Sequence, residues 1–214
     1  MSLIREHHES RGEWLEARAN RGIGASEAAA IVNLSPYESV RGLWEKKVLN
    51  KRSADISDNE AVAKGVRVEP ALRALFQANH PELTIEYYPY DLLFQEDRPW
   101  MFCTLDGEIV REDGMRGILE IKTATPNGRE GWRKWECQIP NHYHCQILHQ
   151  FLATGFDFAI LCAGLYGQDG TMTIREYEVT KEDVAIDMEW LLNEEISFWE
   201  SVSNKKLPPL TLVI

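Results

Sequence analysis

Two carboxylates and a lysine in the middle of the chain are spaced so that they could hold a divalent cation. Asp106 and Glu120 flank Glu112-Asp113-Gly114, which is typical of a three-residue hairpin loop with glycine in the left-handed position. Counting outward from this loop places Asp106 opposite Glu120, with Lys122 two residues further along the same face. Like charges facing each other across a ladder are destabilising unless a cation offsets them. The spacing predicts a metal site; a solvated polar face is the alternative, and Glu108 becomes the rival ligand in another register.

The opposite face of this hairpin is aliphatic and is predicted to lie on the core. Leu105 and Ile109 on the first strand share that face with Leu119 and Ile121 on the second, because side chains alternate along a strand. The hairpin is therefore expected to separate a core face from a polar face.

A third carboxylate, Glu69, is predicted to lie on the apolar side of a helix from Asp58 to Asn79. That side is formed by residues at helical spacing: Val62, Val66, Leu72, Leu75 and Phe76. A carboxylate buried there is costly without a partner. Two roles stay open for Glu69, a place in the metal site and an ion pair with Arg73 four residues on. Gly65, one turn earlier, would let another element approach closely.

Other predicted elements surround this hairpin and helix. Helices are predicted around residues 14–18, 39–49, 140–153 and 180–203, the last capped by Thr180, and strands at 84–94, 157–165 and 171–179. On the helix that begins at Pro140, Tyr143, Gln146 and Gln150 are three and four residues apart, so they form one polar ridge. Together these elements predict one domain of mixed α/β structure.

Basic residues are grouped where they could meet phosphate. Ser26 could cap a helix that follows a glycine-rich loop, with Arg18 and Arg21 nearby, although an ordinary capped helix explains the same residues. Further candidate phosphate contacts are Lys46, Lys47, Lys51 and Arg52. A loop after Pro126 carries Arg129, Arg133 and Lys134 between Trp132 and Trp135, a pattern that suits a nucleic-acid strand or simply anchors the loop to the core.

Composition limits the classes of protein to consider. The 214 residues carry 23 Lys and Arg against 34 Asp and Glu, a net charge of −11. Residues 1–52 nevertheless hold nine basic against seven acidic residues, whereas residues 138–214 hold four against eleven, so one face can remain basic. The four cysteines have no CxxC spacing and are predicted to be reduced and mostly structural. With no apolar run of membrane-spanning length and a polar N-terminus, the protein is expected in the cytoplasm.

The order of helix, strand, hairpin with D-x13-E-x-K, helix and strand resembles the core of the PD-(D/E)XK nuclease superfamily. Several motifs resemble more narrowly the phage lambda-type, YqaJ-like exonucleases of viral recombination. They are Trp14 to Arg18, Gly24-Ala25-Ser26-Glu27, Gly65-x3-Glu69, Leu105-Asp106-Gly107, Glu120-Ile121-Lys122 and Tyr143-x2-Gln146, and they span most of residues 14–165. The resemblance implies a central mixed sheet flanked by helices in a single nuclease domain over residues 1–214. Its parts would be helices in 1–80, the sheet and catalytic core in 81–180 and a final helix in 180–203.

The resemblance also implies an activity: Mg²⁺-dependent digestion of one strand of linear double-stranded DNA from its 5′ end, with Mn²⁺ as a substitute metal. Asp106, Glu120 and the Ile121 carbonyl would ligate two metal ions, with Glu69 completing their shell directly or through water. Lys122 would orient or deprotonate the attacking water, and Gln146 would brace Lys122 or the scissile strand. The pocket for the terminal 5′ phosphate would be lined by Arg18, Ser26 and Thr104, with Arg129 as a fourth candidate. A ring-shaped homotrimer threaded by DNA and a single-strand-annealing partner are further implications.

The chain departs from the family pattern at two positions. Leu105 replaces the proline for which the superfamily is named, and Gln150 stands where related nucleases often carry an aromatic residue, which leaves the role of position 150 open. Two other functions stay as alternatives: a non-catalytic protein that binds DNA ends, and an endonuclease on the same core. The intact set of Asp106, Glu120 and Lys122 favours an enzyme over the first, and the lack of a separate base-reading module disfavours the second.

Overall fold

The computed structural model describes residues 2–49 and 59–208. Within these ranges the strands are β1 Leu3–His7, β2 Ile23–Gly24, β3 Thr84–Glu86, β4 Asp91–Gln95, β5 Met101–Cys103, β6 Gly107–Val110, β7 Arg116–Ala124, β8 Phe158–Tyr166 and β9 Met172–Thr180. The α-helices are α1 Arg11–Arg21, α2 Ala28–Ile31, α3 Val40–Val48, α4 Glu60–Asn79, α5 Gly128–Arg133, α6 Asn141–Thr154 and α7 Ala185–Ser203. Asp58, Lys51 and Arg52 lie outside the described residues, so their predicted helix start and phosphate contacts stay predictions.

The strands form two mixed sheets. A five-stranded sheet has the order β3-β6-β7-β8-β9, in which only β7 and β8 run parallel. A four-stranded sheet has the order β1-β4-β5-β2, with β2 parallel to β5. The predicted mixed α/β class is confirmed. The second sheet was not predicted, because its strands β2 and β5 are too short to show a period.

The hairpin of β6 and β7 has the predicted register. The Arg111 amide donates to the Met115 carbonyl at 3.0 Å, and Gly114 has a φ of +86°, which closes the three-residue loop. Gly107 pairs with Leu119, so one further step places Asp106 across from Glu120. The count from the loop was sufficient because side-chain alternation holds through the paired strands.

One face of the five-stranded sheet is covered by α4, and its aliphatic residues lie on the core as predicted. Ile109, Leu119 and Ile121 pack there against Leu72 and Phe76. Leu105 is the exception, because it packs with the cluster on the other face of the sheet. It precedes the first paired residue of β6, where alternation along the strand no longer applies.

The polar face of the hairpin is also largely buried, which rules out the alternative of a solvated face. Helix α6 and the four-stranded sheet cover it, and the main core cluster there includes Ile118 of β7 with Ile147 and Phe151 of α6. Glu108 and Glu120 are each only 2% exposed. The carboxylates of this face therefore lie between layers of the fold and need partners within the protein.

Several other elements differ from their predicted bounds. The strand predicted at 84–94 divides into β3 and β4, which belong to different sheets, because Pro89 lacks an amide proton and Tyr90 has a positive φ of 67°. Helix α7 begins at Ala185; Thr180 instead accepts a hydrogen bond from the Asp183 amide in the preceding turn. The loop predicted after Pro126 contains the short helix α5, and the turn predicted at residues 14–18 is part of the longer α1.

The apolar side predicted for α4 is only partly correct, since Leu72 and Phe76 are buried but Val66 is 66% exposed and Leu75 is 40% exposed. Among the residues that the structure describes, no helix is both long and apolar enough to span a bilayer.

Candidate active site

A cavity of about 170 Å³ connects the predicted metal site with the predicted phosphate pocket. Residues of both groups line it: Arg18, Gly24, Ala25, Ser26, Phe102, Cys103, Thr104, Asp106, Glu120, Lys122 and Gln146. Three predicted site residues, Glu69, Ile121 and Arg129, are not among them. The fold thus brings together residues that lie more than a hundred positions apart in the sequence.

Glu120 is the most tightly held side chain of the site. Its Oε1 accepts hydrogen bonds from the Gln146 amide at 2.7 Å and from Lys122 Nζ at 2.5 Å. Its Oε2 accepts one from the Gln150 amide at 2.6 Å. Three donors therefore fix the orientation of a carboxylate that would be unstable if it were buried alone.

Helix α6 supplies two of these donors because Gln146 and Gln150 are one turn apart on the same face. The helix begins after Pro140 and ends at Gly155 in the left-handed conformation, with a φ of +77°. Gln150 is fully buried, and its Oε1 has no hydrogen-bond partner. Position 150, left open by the sequence, is thus a polar anchor for Glu120, and Gln146 contacts Glu120 rather than Lys122.

Asp106 lies between β5 and β6, next to Glu120. Its Oδ2 accepts a hydrogen bond from the Ile121 amide at 2.8 Å, which links the two ends of the hairpin. Burial and the charge of Glu120 raise the pKa of Asp106 well above its usual range, although Lys122 acts in the opposite direction. A water-poor site that holds two carboxylates, with the pKa of Asp106 raised, would gain from a bound cation.

Lys122 is the cation of this cluster. Burial disfavours its charge, but Glu120 and Asp106 outweigh that effect, so the pKa of Lys122 is raised. Its Nζ also lies 5.2 Å from the centroid of the Tyr143 ring. In this arrangement Lys122 is an ammonium group, suited to orienting a water or neutralising a phosphate rather than to removing a proton.

Glu69 forms the predicted ion pair with Arg73, and its place in the metal site stays a prediction. Arg73 donates to its Oε1 at 2.6 Å, and the same guanidinium donates through Nε to the Asp106 carbonyl at 2.5 Å. Burial and the charge of Glu120 raise the pKa of Glu69, although Arg73 acts in the opposite direction. Gly65 permits this approach, since a Cβ there would come within 3.3 Å of Thr123. Helix α4 thus docks onto the hairpin through Arg73.

The phosphate side of the cavity is formed by α1 and the end of β5. An Arg18 Nη lies 3.5 Å from Thr104 Oγ1, and the Arg18 guanidinium packs 4.4 Å from the centroid of the Trp14 ring. Burial lowers the pKa of Arg18, but a guanidinium stays charged. Within the described ranges no carboxylate forms an ion pair with Arg18, so its charge remains available to an anion.

Ser26 lines the cavity but does not cap a helix, so that part of the prediction is wrong. It lies in a 3₁₀ turn, Ala25–Glu27, in which the Glu27 carboxylate accepts from the Gly24 amide at 2.9 Å. The α-helix that follows, α2, has only four residues. A helix this short has little dipole to offer, so the hydroxyl of Ser26 and the charge of Arg18 are what this side presents to an anion.

The other predicted phosphate contacts point elsewhere. Arg21 pairs with Glu6, Lys46 with Glu38, and Lys47 with Glu27 at 2.6 Å. Arg129 is exposed on α5 and does not reach the cavity. Trp135 on the same segment is buried and Trp132 packs against the core, so these rings anchor the loop.

Glu108, the rival metal ligand, is not available to the site because arginines occupy both of its carboxylate oxygens. Its Oε1 pairs with Arg5, and its Oε2 pairs with Arg116 at 2.7 Å. Arg5 in turn pairs with Asp91 at 2.8 Å. Glu108 therefore belongs to an ionic cluster that joins the two sheets.

The donor set suits a hard divalent cation without forming a complete cage for one. Asp106, Glu120, Glu69 and the Ile121 carbonyl offer the oxygen ligands that Mg²⁺ prefers. In residues 2–49 and 59–208, no three His, Cys, Asp or Glu side chains converge closely enough to hold an ion by themselves. Mg²⁺ usually keeps several waters and takes one or two carboxylates together with substrate phosphates, so this partial shell fits it.

Some functional contacts carried no signal in the sequence. The link from Arg73 to the Asp106 carbonyl spans 33 positions, and the hydrogen bond from Gln150 to Glu120 spans 30. The ridge of Tyr143, Gln146 and Gln150 indicated the correct helix face. It did not indicate that Glu120 would be the partner.

Known proteins resemble the chain in sequence and in fold. It is 27% identical over 202 residues to the uncharacterised protein YqaJ of Bacillus subtilis strain 168, covering 92% of this chain and 58% of that protein's length. The chain thus spans just over half of this relative.

Two solved structures share its fold. An alkaline exonuclease, LHK-Exo, from Laribacter hongkongensis superposes with a TM-score of 0.67 at 17% identity, over 91% of this chain and 93% of that one. A phage-related exonuclease from Haemophilus somnus 129PT gives a TM-score of 0.56 at 11% identity, over 86% and 96%. Finally, the model of the YqaJ-like viral recombinase domain matches residues 13–157, about two thirds of the sequence, and the chain therefore belongs to that family.

Proposed function

We propose that this protein is a Mg²⁺-dependent exonuclease that digests one strand of linear double-stranded DNA in the 5′-to-3′ direction during recombination. One observation carries the proposal: a single cavity joins Arg18, which has no ion-pair partner among the described residues, to a carboxylate pair with an adjacent ammonium group. A terminal phosphate and a scissile phosphate are the two anions that such a cavity suits. Membership of a viral recombinase family supports the recombination role.

The residues that would hold Mg²⁺, with Mn²⁺ as a substitute, are Asp106, Glu120, Glu69 and the Ile121 carbonyl. Two bound ions would polarise the scissile phosphate and lower the pKa of the attacking water. The chain contributes the orientation of this set, because Gln146 and Gln150 hold Glu120, and the Ile121 amide holds Asp106. Preorganised ligands of this kind avoid reorganisation during the reaction.

Lys122 would neutralise negative charge that develops on the scissile phosphate and would orient the attacking water. Its ammonium is already held beside Glu120, and the acidic surroundings keep its pKa raised. Removing it would therefore lower the rate of hydrolysis more than it lowers DNA affinity, since its interaction strengthens in the transition state.

The phosphate side would select DNA ends. Only a terminus presents a free phosphate monoester, which carries more negative charge than an internal diester, and Arg18 with the hydroxyls of Ser26 and Thr104 supplies matching donors. The fold relative LHK-Exo was also solved in complex with dAMP, which supports a nucleotide ligand for this fold.

The direct test is resection of linear duplex DNA in Mg²⁺. Wild type should digest 5′-phosphorylated ends, and Lys122→Ala should be slower by about 10²-fold or more. Lys206→Ala, which removes an exposed lysine beyond the end of α7, is the matched control and should retain full activity. Lack of resection by wild type, or equal rates for Lys122→Ala, would refute the proposal. Degradation of closed circular DNA would favour an endonuclease.

End selection has its own test. Wild type should resect 5′-hydroxyl ends more slowly than 5′-phosphorylated ends, and Arg18→Ala should lose most of that preference. Arg111→Ala removes an arginine at the hairpin loop that pairs with Glu178 at 2.8 Å, and it should keep the preference. Equal wild-type rates on the two ends would remove the phosphate pocket from the proposal.

The proposal includes two kinds of assembly, both of which are implied by the resemblance to lambda-type exonucleases. We propose a ring-shaped homotrimer that encloses DNA, and a single-strand-annealing protein as the working partner. Light scattering after size exclusion would report the mass of the free assembly. A monomer at micromolar concentration would contradict the ring.

A further inference from the structure

A buried ionic pair lies directly behind the cavity, and none of the roles proposed so far uses it. His149 of α6 and Glu195 of α7 are both 0% exposed, and His149 Nδ1 is 2.8 Å from Glu195 Oε1. The second ring nitrogen, Nε2, is 3.0 Å from the carbonyl oxygen of Phe102 on β5. One side chain thus joins two helices and a strand.

The contacts of His149 define its charge. Both ring nitrogens face acceptors, a carboxylate and a carbonyl, so both are expected to carry a proton. Burial disfavours the imidazolium, but Glu195 and the two hydrogen bonds outweigh this effect and raise the pKa of His149. The pair is therefore an imidazolium and a carboxylate in a fully buried setting.

Such a pair is a poor device for stability alone. Desolvation of two buried charges often cancels their attraction, and apolar residues of similar size commonly serve as well or better. The remaining carboxylate oxygen, Glu195 Oε2, is also buried without a hydrogen-bond partner. A purely structural contact between α6 and α7 would not need this arrangement.

The position of His149 indicates what the pair does. It directly precedes Gln150 and follows Gln146 by three residues, so it sets the rotation and height of the helix that holds Glu120. On its other side, Phe102 lines the cavity and lies two residues before Thr104, in the predicted phosphate pocket. His149 therefore ties the helix behind the metal ligands to the strand that ends in the phosphate pocket.

We propose that His149, held by Glu195, is a positioning residue that couples the two halves of the cavity, so that Glu120 and Thr104 keep one fixed separation. The inference rests on the proposed function, because the cavity matters only if it binds metal and DNA. The orientation of Glu120 by α6 can nevertheless be tested without nuclease activity, through the affinity for Mg²⁺. Second-layer groups that orient metal ligands typically change metal affinity or activity 10–100-fold when they are removed.

The test replaces both charges by apolar residues, so that no buried charge is left alone. His149→Leu combined with Glu195→Leu should fold with a melting temperature in EDTA close to or above that of wild type. It should nevertheless bind Mg²⁺, titrated calorimetrically as MgCl₂ without DNA, about 10–100-fold more weakly. Its resection rate and its preference for 5′-phosphorylated over 5′-hydroxyl ends should both fall.

Two further variants separate positioning from general loosening of the helices. Glu195→Gln should resemble wild type, because a neutral His149 with its proton on Nε2 can still donate to Phe102 and accept from the new amide. His144→Leu with Asp187→Leu removes a pair between the same two helices, 3.2 Å apart but partly exposed, and should change neither Mg²⁺ affinity nor end preference.

The outcomes distinguish this inference from the proposed function. Mg²⁺ binding within twofold of wild type in the double leucine variant at positions 149 and 195 would overturn the inference, whether or not wild type cuts DNA. Failure of that variant to fold would also overturn it, because the pair would then be a folding requirement. If wild type binds Mg²⁺ but does not resect DNA, the proposed function is refuted and the inference about His149 is not.

Discussion

Replacing Asp106 by asparagine should stabilise the metal-free protein while removing its proposed activity. Asp106 and Glu120 oppose each other across the hairpin, and opposed residues have Cβ atoms roughly 5 Å apart. Two unit charges at that separation repel by about 3 kcal/mol at an effective dielectric of about 20. Lys122, whose Nζ lies 2.5 Å from Glu120, offsets part of this repulsion. We therefore expect asparagine to increase the free energy of unfolding by about 1–2 kcal/mol.

The hydrogen bond that holds Asp106 should survive the change, because an asparagine oxygen can still accept from the Ile121 amide. For a chain of this length the expected gain corresponds to a rise of about 2–8 °C in the melting temperature. The measurement is thermal unfolding by circular dichroism in EDTA. Added Mg²⁺ should raise the melting temperature of wild type more than that of the variant, because the variant lacks a ligand.

The effect should depend on pH with a defined sign. The folded-state pKa of Asp106 is raised, so its contribution to stability is fully present below its unfolded pKa of about 3.9 and is lost as pH rises through the folded pKa. The advantage of asparagine should thus be absent near pH 3.5 and complete once Asp106 ionises in the folded protein.

A second carboxylate provides a control of opposite sign. Asp91 is buried, but it pairs with Arg5 at 2.8 Å and with His7 at 2.6 Å, so Asp91→Asn should lower the melting temperature. If Asp106→Asn melts at or below wild type in EDTA at pH 8, repulsion between the two carboxylates does not dominate the energetics of this site, and the case for a cation there weakens.

Two further substitutions and one labelling experiment test the structure. Gln150→Leu should lower the resection rate about 10–100-fold, because Glu120 Oε2 loses its donor. Gly117→Ala should lower the free energy of unfolding by about 1–3 kcal/mol, since the new Cβ would lie 2.4 Å from the Phe158 ring. Iodoacetamide at pH 8 should modify one thiol in the native protein and four in urea, because Cys137 is exposed while the other three cysteines are buried. Burial raises the pKa of Cys145 to about 11 and of Cys162 to about 12.

Matched measurements make each result interpretable. Gln138→Leu changes an exposed glutamine and should leave the resection rate unchanged. Gly12→Ala lies on α1 with no atom closer than 3.9 Å to the new Cβ, so it should not destabilise the protein. Mass spectrometry of native labelled protein with the label mainly at Cys103, Cys145 or Cys162 would contradict the burial of those thiols.

Short-range sequence patterns were sufficient to predict the hairpin. The loop residues and the two-residue period set its register, and with it the pairing of Asp106 with Glu120, because both are short-range properties of a strand pair. The helix from Pro140 was predictable in the same way, since its ridge of polar residues has a helical period and its boundaries carry proline and glycine.

Burial of the hairpin's polar face was decided by tertiary structure, because alternation tells which residues share a face but not what covers it. The second sheet could not be predicted from the sequence for a similar reason. Its paired strands, β1 with β4 and β2 with β5, lie far apart in the sequence. The same holds for Leu105, whose packing changes where the strand ends.

The sequence by itself determined the residue types of the site, the hairpin register and the order of elements that places the chain in its family. Only the tertiary structure decided that Gln150 and Gln146 hold Glu120, that Arg73 links Glu69 to Asp106, and that His149 joins α6 to β5. These contacts join segments about 25 to 50 positions apart. Periodicity reports the face of one element, whereas such contacts depend on how separate elements pack against each other.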